Sequence, residues 1–345
     1  MTVVLVGLFA GAFAATLVLT PLMIRLARRV QFLDQPGPRK IHAEPVPYGG
    51  GLVVASVVLV GTFLARRLIS DGGPPVQMKS FPWSVFTMGS LVILALGVVD
   101  DRRRLSARIK LLVQSLVAVG VSIGGARLQL FDAPLVVSVA VTSIWILAVT
   151  NSFNLLDHMD GLSGGVALLA GSAFLIVAIQ TEQVLIAAMI VPLLGACLGF
   201  LCFNFPPAKI FLGDAGSLFV GFWLSCLTIS FTFYKASYPL YTYFVPLAIL
   251  AVPLFDTALV VLIRLFHGRP IFEGDTNHFA HRLTALGMSR KAAVLTVYAL
   301  TLTAGLSAVL LYHVHQRAAL LILMQLLLTF GIITLLEAAG RRNDG

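Results

Sequence analysis

Five groups of acidic, amide and histidine residues interrupt a 345-residue chain that is otherwise nearly continuous hydrocarbon. They are Asp100-Asp101, the run from Asn151 through Asn154 and Asp157 to Asp160, then Asp214, then Asp256, then Asp275 with His278 and His281. Carboxylates beside apolar spans are costly unless they face water or bind something, so function is sought there first. Asp100 and Asp101 are adjacent like charges, a conflict relieved by a raised pKa on one of them or by a divalent cation. The competing reading is an ion-paired membrane edge, because Arg102, Arg103 and Arg104 follow directly. Together the acids read as a metal-dependent phosphoryl-transfer site.

The second group is more specific. Asn151, Asn154, Asp157 and Asp160 recur every third residue. On a straight α-helix each step of three drifts by about 60°, so all four converge only where the helix ends or tightens. Gly161, Gly164 and Gly165 permit that ending. A plainer alternative makes Asp160 the N-cap of the next helix. Asp214, between Gly213 and Gly216, could likewise be a cap, and Lys209 is the one cation of its short loop. His278 and His281 are three apart and could share a helix face, where neutral imidazoles suit a metal and protonated ones suit phosphate. Zinc is not expected there, since the His-Glu-x-x-His pattern is absent and no cysteine stands near. Asp256, three residues after Pro253, reads equally as a metal or nucleotide contact or as a polar residue packed against another helix.

These groups need helices to hold them. The chain is 58% hydrophobic and 11% charged, with a mean hydropathy of +0.95. Soluble domains carry about 25% charged residues, so lipid is the main solvent here. A crossing helix needs about 20 apolar residues. That ruler gives an all-α polytopic membrane protein of eleven spans, or ten if a short one fails. The spans lie at roughly 3–24, 50–69, 81–99, 109–126, 134–150, 163–180, 184–203, 216–234, 242–263, 292–311 and 318–338. Prolines 192, 206, 207, 246 and 253 suggest kinked or broken helices. Cys197, Cys202 and Cys226 read as buried small hydrophobes.

Arg25, Arg28 and Arg29 follow the first apolar run and no cation precedes it, the reverse of a cleaved leader. With the N-terminus outside, 18 of the 24 Lys and Arg residues fall on inner loops, as the positive-inside rule expects. The whole chain, 1–345, then reads as one integral membrane unit of the inner membrane. Its cytoplasmic loops lie at about 25–49, 100–108, 151–162, 204–215 and 264–291, and every acidic group sits at that face. The net charge of +9 belongs to these loops, and no soluble basic surface exists for nucleic acid.

The residues resemble the polyprenyl-phosphate N-acetylhexosamine-1-phosphate transferases, in particular the bacterial undecaprenyl-phosphate N-acetylglucosaminyl-1-phosphate branch. The resemblance runs from Asp34-Gln-Pro-Gly-Pro-Arg-Lys-Ile-His42 and Gly49-Gly50-Gly51 to Arg290. Its most specific pieces are Asp100-Asp101 with Leu105 to Lys110, Asn151 to Gly161, and Phe203 to Leu218. It implies that a lipid phosphate attacks the β-phosphate of a UDP-sugar, that the sugar 1-phosphate passes to the lipid, and that UMP leaves. It implies Mg²⁺, with Mn²⁺ as a substitute.

By the same resemblance Asp214 and Asp101 serve the metal, and Asp100, Asp101, Asp157 and Asp160 are catalytic. Lys110, Asn151, Asn154, Lys209, His278, His281 and Arg282 contact substrate. The partners implied are a UDP-sugar, undecaprenyl phosphate and the bilayer, with a homodimer left open. Two departures stand out. Ala280 replaces the first of a usual pair of histidines, and His158 stands where the family has a small residue or Asn. They leave the metal-ligand set intact and bear on the donor sugar. The rival readings are a phospho-N-acetylmuramoyl-pentapeptide-type transferase and an ion-coupled secondary transporter.

Overall fold

A computed structural model describes residues 1–35, 44–70, 82–128, 133–231, 239–266, 268 and 278–343. Asp275, Lys40 and His42 lie outside the described residues.

Among the described residues thirteen α-helices dominate. They are α1 (Thr2–Arg29), α2 (Gly50–Ser70), α3 (Trp83–Arg103), α4 (Ala107–Ile123), α5 (Leu135–Leu156), α6 (Leu162–Gln180), α7 (Val184–Asn204), α8 (Gly213–Ser230), α9 (Val245–Ile249), α10 (Ala251–Phe266), α11 (Phe279–Ala285), α12 (Arg290–Leu310) and α13 (Gln316–Asn343). A short antiparallel pair, β1 (Leu33–Asp34) and β2 (Val46–Pro47), sits between α1 and α2.

Each of the eleven expected spans has a helix under it. Among the described residues eight are long and apolar enough to cross a membrane, and the bent pair Leu240–Ile249 and Ala251–Phe266 makes up to nine. The protein is therefore multi-pass. The remaining two candidates became α4, of 17 residues, and α8, which carries Asp214 and three serines.

The ends of the helices follow local chemistry. Pro82 and Pro134 occupy the N-cap positions of α3 and α5, where a missing N–H costs nothing. Ser106 caps α4 through the Ile109 N–H, and Ser289 caps α12 through Ala292. The expected break near Pro246 and Pro253 occurs: the chain turns by 72° between α9 and α10. Pro192, by contrast, lies inside an unbroken α7.

Lipid supplies no hydrophobic drive for helix to meet helix, so close packing and buried hydrogen bonds must do it. Helix α8 is the hub, with every residue from Ala215 to Ile229 buried. Small residues let its neighbours approach. A Cβ on Gly97 of α3 would lie 2.4 Å from the Ala215 Cα, and one on Gly51 of α2 would lie 2.1 Å from the Gly216 N. Trp145 of α5 donates its ring N–H to the Thr228 hydroxyl of α8 at 2.8 Å. Helices α1 and α13 are mostly exposed along their apolar stretches and form the lipid-facing flanks.

Candidate active site

Five chain segments meet at one end of the bundle. Helix α3 ends there because Arg104 takes a left-handed conformation, φ 48°, with its N–H on the Asp100 carbonyl. The buried Asp100 carboxylate accepts the Leu105 N–H at 2.6 Å, which fixes the turn into α4. Lys110, one turn into α4, reaches back with Nζ 2.6 Å from Asp100 Oδ2 and 3.6 Å from Asp214 Oδ2. The Asp100 and Asp214 carboxyls are themselves within hydrogen-bonding contact. Residues 114 positions apart thus face one point, as the metal-site reading requires.

Asp101 faces the other way. Its two oxygens accept the N–H groups of Asp214 at 2.7 Å and Ala215 at 3.1 Å. It therefore caps α8 from another helix, where the orphan amides and the helix dipole favour an anion. Gly213 has φ 71°, and a Cβ on it would stand 2.7 Å from the Asp101 carboxylate, so this junction needs glycine twice over. The expectation that Asp101 is a metal ligand meets a carboxylate already committed on both oxygens.

The four every-third residues do not all converge: Asn151 and Asn154 both lie within α5, where a step of three turns by about 60°, and Asp157 and Asp160 follow the helix end at Leu156. Asn154 donates to Asp214 Oδ1 at 2.7 Å and to the Ser217 hydroxyl at 3.0 Å. Asp157 is the C-cap residue of α5 and is close to the start of α8. Burial, then the charges of Asp214, Asp101 and Asp160, push its carboxyl well above the usual carboxylate range. Asn151 turns aside to Gln114 of α4, at 2.6 Å. Asp160 accepts the Ala208 N–H at 2.9 Å and tethers the 205–212 loop. It is not the cap of α6: Gly161 holds that position, with φ 75° and no side-chain cap. Lys209 is exposed, and among the described residues no ion pair joins it to the carboxylates.

A second group forms where α10 meets α11. Asp256 is buried and accepts the Phe279 N–H at 2.6 Å, with His278 Nδ1 at 3.1 Å and Arg282 Nη1 at 3.8 Å. His158, just past α5, lies against both histidines of this group, its ring 4.5 Å from His278 and 4.6 Å from His281. Burial, then His278, pull the His158 imidazole down to about 3. Burial, then His278, lower His281 as well. His158 was visible in the sequence only as a departure from a motif. Nothing local marked its contact with residues 120 positions on. Tyr48, also unforeseen, packs between Phe32 and Phe211, and burial together with Asp34 raises its phenol.

The donor set at Asp100 and Asp214 is all oxygen, which suits a hard cation such as Mg²⁺. Two carboxyls in contact, with an ammonium against both, are what a divalent ion would relieve. The residues present therefore fit the ion that the resemblance implied.

Comparison with known proteins gives the family. The profile of glycosyl transferase family 4 matches residues 83–232, from the start of α3 to just past α8. The chain is 33% identical to a probable undecaprenyl-phosphate N-acetylglucosaminyl 1-phosphate transferase of Bacillus subtilis, over 97% of this chain and 92% of that one. It is 29% identical to a decaprenyl-phosphate N-acetylglucosaminephosphotransferase of Mycobacterium leprae, over 99% and 91%. It is 31% identical to a phospho-N-acetylmuramoyl-pentapeptide-transferase of Desulforudis audaxviator, over 63% and 73%. With the matched segment carrying Asp100, Asn154 and Asp214, and near full-length similarity beyond it, the chain belongs to glycosyl transferase family 4.

Proposed function

We propose that this protein transfers N-acetylglucosamine 1-phosphate from UDP-N-acetylglucosamine to undecaprenyl phosphate, releasing UMP and beginning a lipid-linked envelope glycan. The observation that carries the reading is the meeting of Asp100 and Asp214 across the Lys110 ammonium. Both reactants are anions, so the site must bring phosphates together against their repulsion. Bound Mg²⁺ would supply Lewis-acid neutralisation of the pyrophosphate oxygens. Asp214, oriented by Asn154, and Asp100 are the residues to hold it.

The chain's own groups do the rest. Lys110 offers a cation to the incoming phosphate. Asp100, held by the Leu105 amide, is placed to contact the lipid phosphate and take its proton. A phosphate oxygen of the lipid then bonds to the β-phosphorus, the bridging P–O bond breaks, and UMP departs with the electron pair. Asp157, Asn151 and Asp160 shape the nucleotide side, while Arg282 is the group of the α11 start that reaches phosphate or sugar. Asp101 acts through the α8 terminus that it fixes.

Detergent-purified protein should release UMP from UDP-N-acetylglucosamine only with undecaprenyl phosphate and Mg²⁺ both present. Chelation should stop it and Mn²⁺ should restore part of it. No UMP from that donor, its galactosamine isomer or UDP-MurNAc-pentapeptide would sink the reading in favour of a transporter.

The reaction is placed at the cytoplasmic face of the inner membrane, on the asymmetry of the charged loops. A cysteine at the exposed Ser106 should resist an impermeant thiol reagent added outside intact cells and react after lysis. Labelling before lysis would invert the topology.

A further inference from the structure

We infer that His158, Asp256 and His278 form a second cation site, separate from the carboxylate pair and selective for a borderline transition metal of the Zn²⁺ type. The three residues come from the α5–α6 turn, from α10 and from the start of α11. One ligand atom from each lies within 4.8 Å of the other two. His278 Nδ1 and Asp256 Oδ2 are already 3.1 Å apart. That is near the ~3.4 Å edge of a tetrahedron with bonds of about 2.1 Å.

The state of His158 is the second, independent observation. Its Nδ1 lies 2.9 Å from the Leu155 carbonyl, so that nitrogen carries the proton and donates. Nε2 is then a bare lone pair, and it is buried with no hydrogen-bond partner. A ring whose far N–H is anchored on a backbone carbonyl is the usual preparation of a metal-binding imidazole. A buried acceptor left without a donor is otherwise a plain cost. Asp256 is oriented in the same way, by the Phe279 amide on Oδ1.

Two imidazoles and one carboxylate favour Zn²⁺, Co²⁺ or Ni²⁺ over Mg²⁺, which prefers oxygen alone. Two features oppose binding, and both are local. Arg282 Nη1 stands 3.8 Å from Asp256 Oδ1, and the His158 and His278 rings lie stacked at 22°. Uptake turns one ring edge-on and leaves Arg282 on the outer oxygen. His281, 4.6 Å from His158 ring to ring, is within reach of the fourth position. The absence of a local zinc motif carries no weight against such a site, since its ligands are separated by 98 and 22 positions in the chain.

The test measures metal binding and does not depend on the transferase reading. Tag-free protein is stripped with chelator and titrated with Co²⁺, following visible ligand-field absorption, then competed with Zn²⁺ and Mg²⁺. One equivalent of Co²⁺ is expected to bind with tetrahedral bands and no thiolate charge transfer, displaced by Zn²⁺ and not by Mg²⁺ at millimolar excess. His158→Gly should weaken binding by about 10–100-fold, with the helical signal and elution volume unchanged. Replacement of His313 and His315 by Ala, at surface positions elsewhere, should change nothing. Should His158→Gly fail to fold, His158→Asn gives the same comparison. The inference is overturned by a wild type with no saturable site, by wild-type affinity in either His158 variant, or by loss of binding when His313 and His315 are replaced.

Discussion

Asp214→Asn should leave the protein inserted and monodisperse while turnover falls by about a thousandfold. The two halves of that expectation have different causes. Asparagine keeps the shape of the side chain and an oxygen to accept the Asn154 amide, now at 2.7 Å from Asp214 Oδ1. The α8 terminus is held by Asp101 and the Gly213 backbone, neither of which is touched. Activity depends instead on the second oxygen, which faces Lys110 and Asp100. An amide nitrogen there cannot ligate a hard cation and presents a donor to an ammonium. Loss of one anionic ligand costs several kcal/mol of transition-state stabilisation, and each 1.36 kcal/mol is about tenfold in rate. UMP release under saturating Mg²⁺ is the measurement. Retention of more than about a tenth of wild-type turnover would remove Asp214 from the site.

Asp101→Ala should lose both stability and activity, and the pairing of the two losses is diagnostic. Its carboxylate satisfies two backbone N–H groups at the start of the most buried helix in the molecule. Removing it leaves those donors facing a space that water enters poorly. An unsatisfied buried group costs about 1–3 kcal/mol, so a loss of roughly 2 kcal/mol or more is expected. Because the same amides place Asp214, turnover should fall by at least about a hundredfold as the metal-binding oxygens drift. Thermal unfolding in detergent, read beside UMP release, separates the outcomes. An Asp101→Ala protein as stable as wild type yet inactive would return Asp101 to the metal, as the resemblance first implied.

Much of the architecture was legible because membrane crossing is a one-dimensional constraint. Twenty apolar residues either occur in a row or do not, and each expected span coincides with a helix. Two of those helices, α4 and α8, are shorter or more polar than a lone crossing helix needs, and they lie among others. A window on the sequence sees apolarity but not which neighbour supplies the shielding. The break between α9 and α10 was announced by Pro246 and Pro253. The continuity of α7 through Pro192 was not, since neighbouring helices decide whether a proline kinks its own.

The site divides along a similar line. Asp100 and Asn154 stood out by residue type and spacing, Asp214 and Lys110 gained their place through the family resemblance, and the four meet. Asn151 and Asp160 carry the same spacing, yet one bonds Gln114 and the other the Ala208 amide. Asn151 stands about 60° round the same helix from Asn154, and Asp160 lies beyond the end of α5 at Leu156.

The order of residues alone determined the solvent, the place of the apolar segments, and the short list of groups able to handle phosphate. Those properties are local sums of transfer free energy and residue chemistry. Tertiary structure alone decided which carboxylate faces Lys110, which one caps α8, and that His158 rests against His278 and His281. Those outcomes depend on contacts between segments up to 123 positions apart, whose energies exist only after the helices have packed.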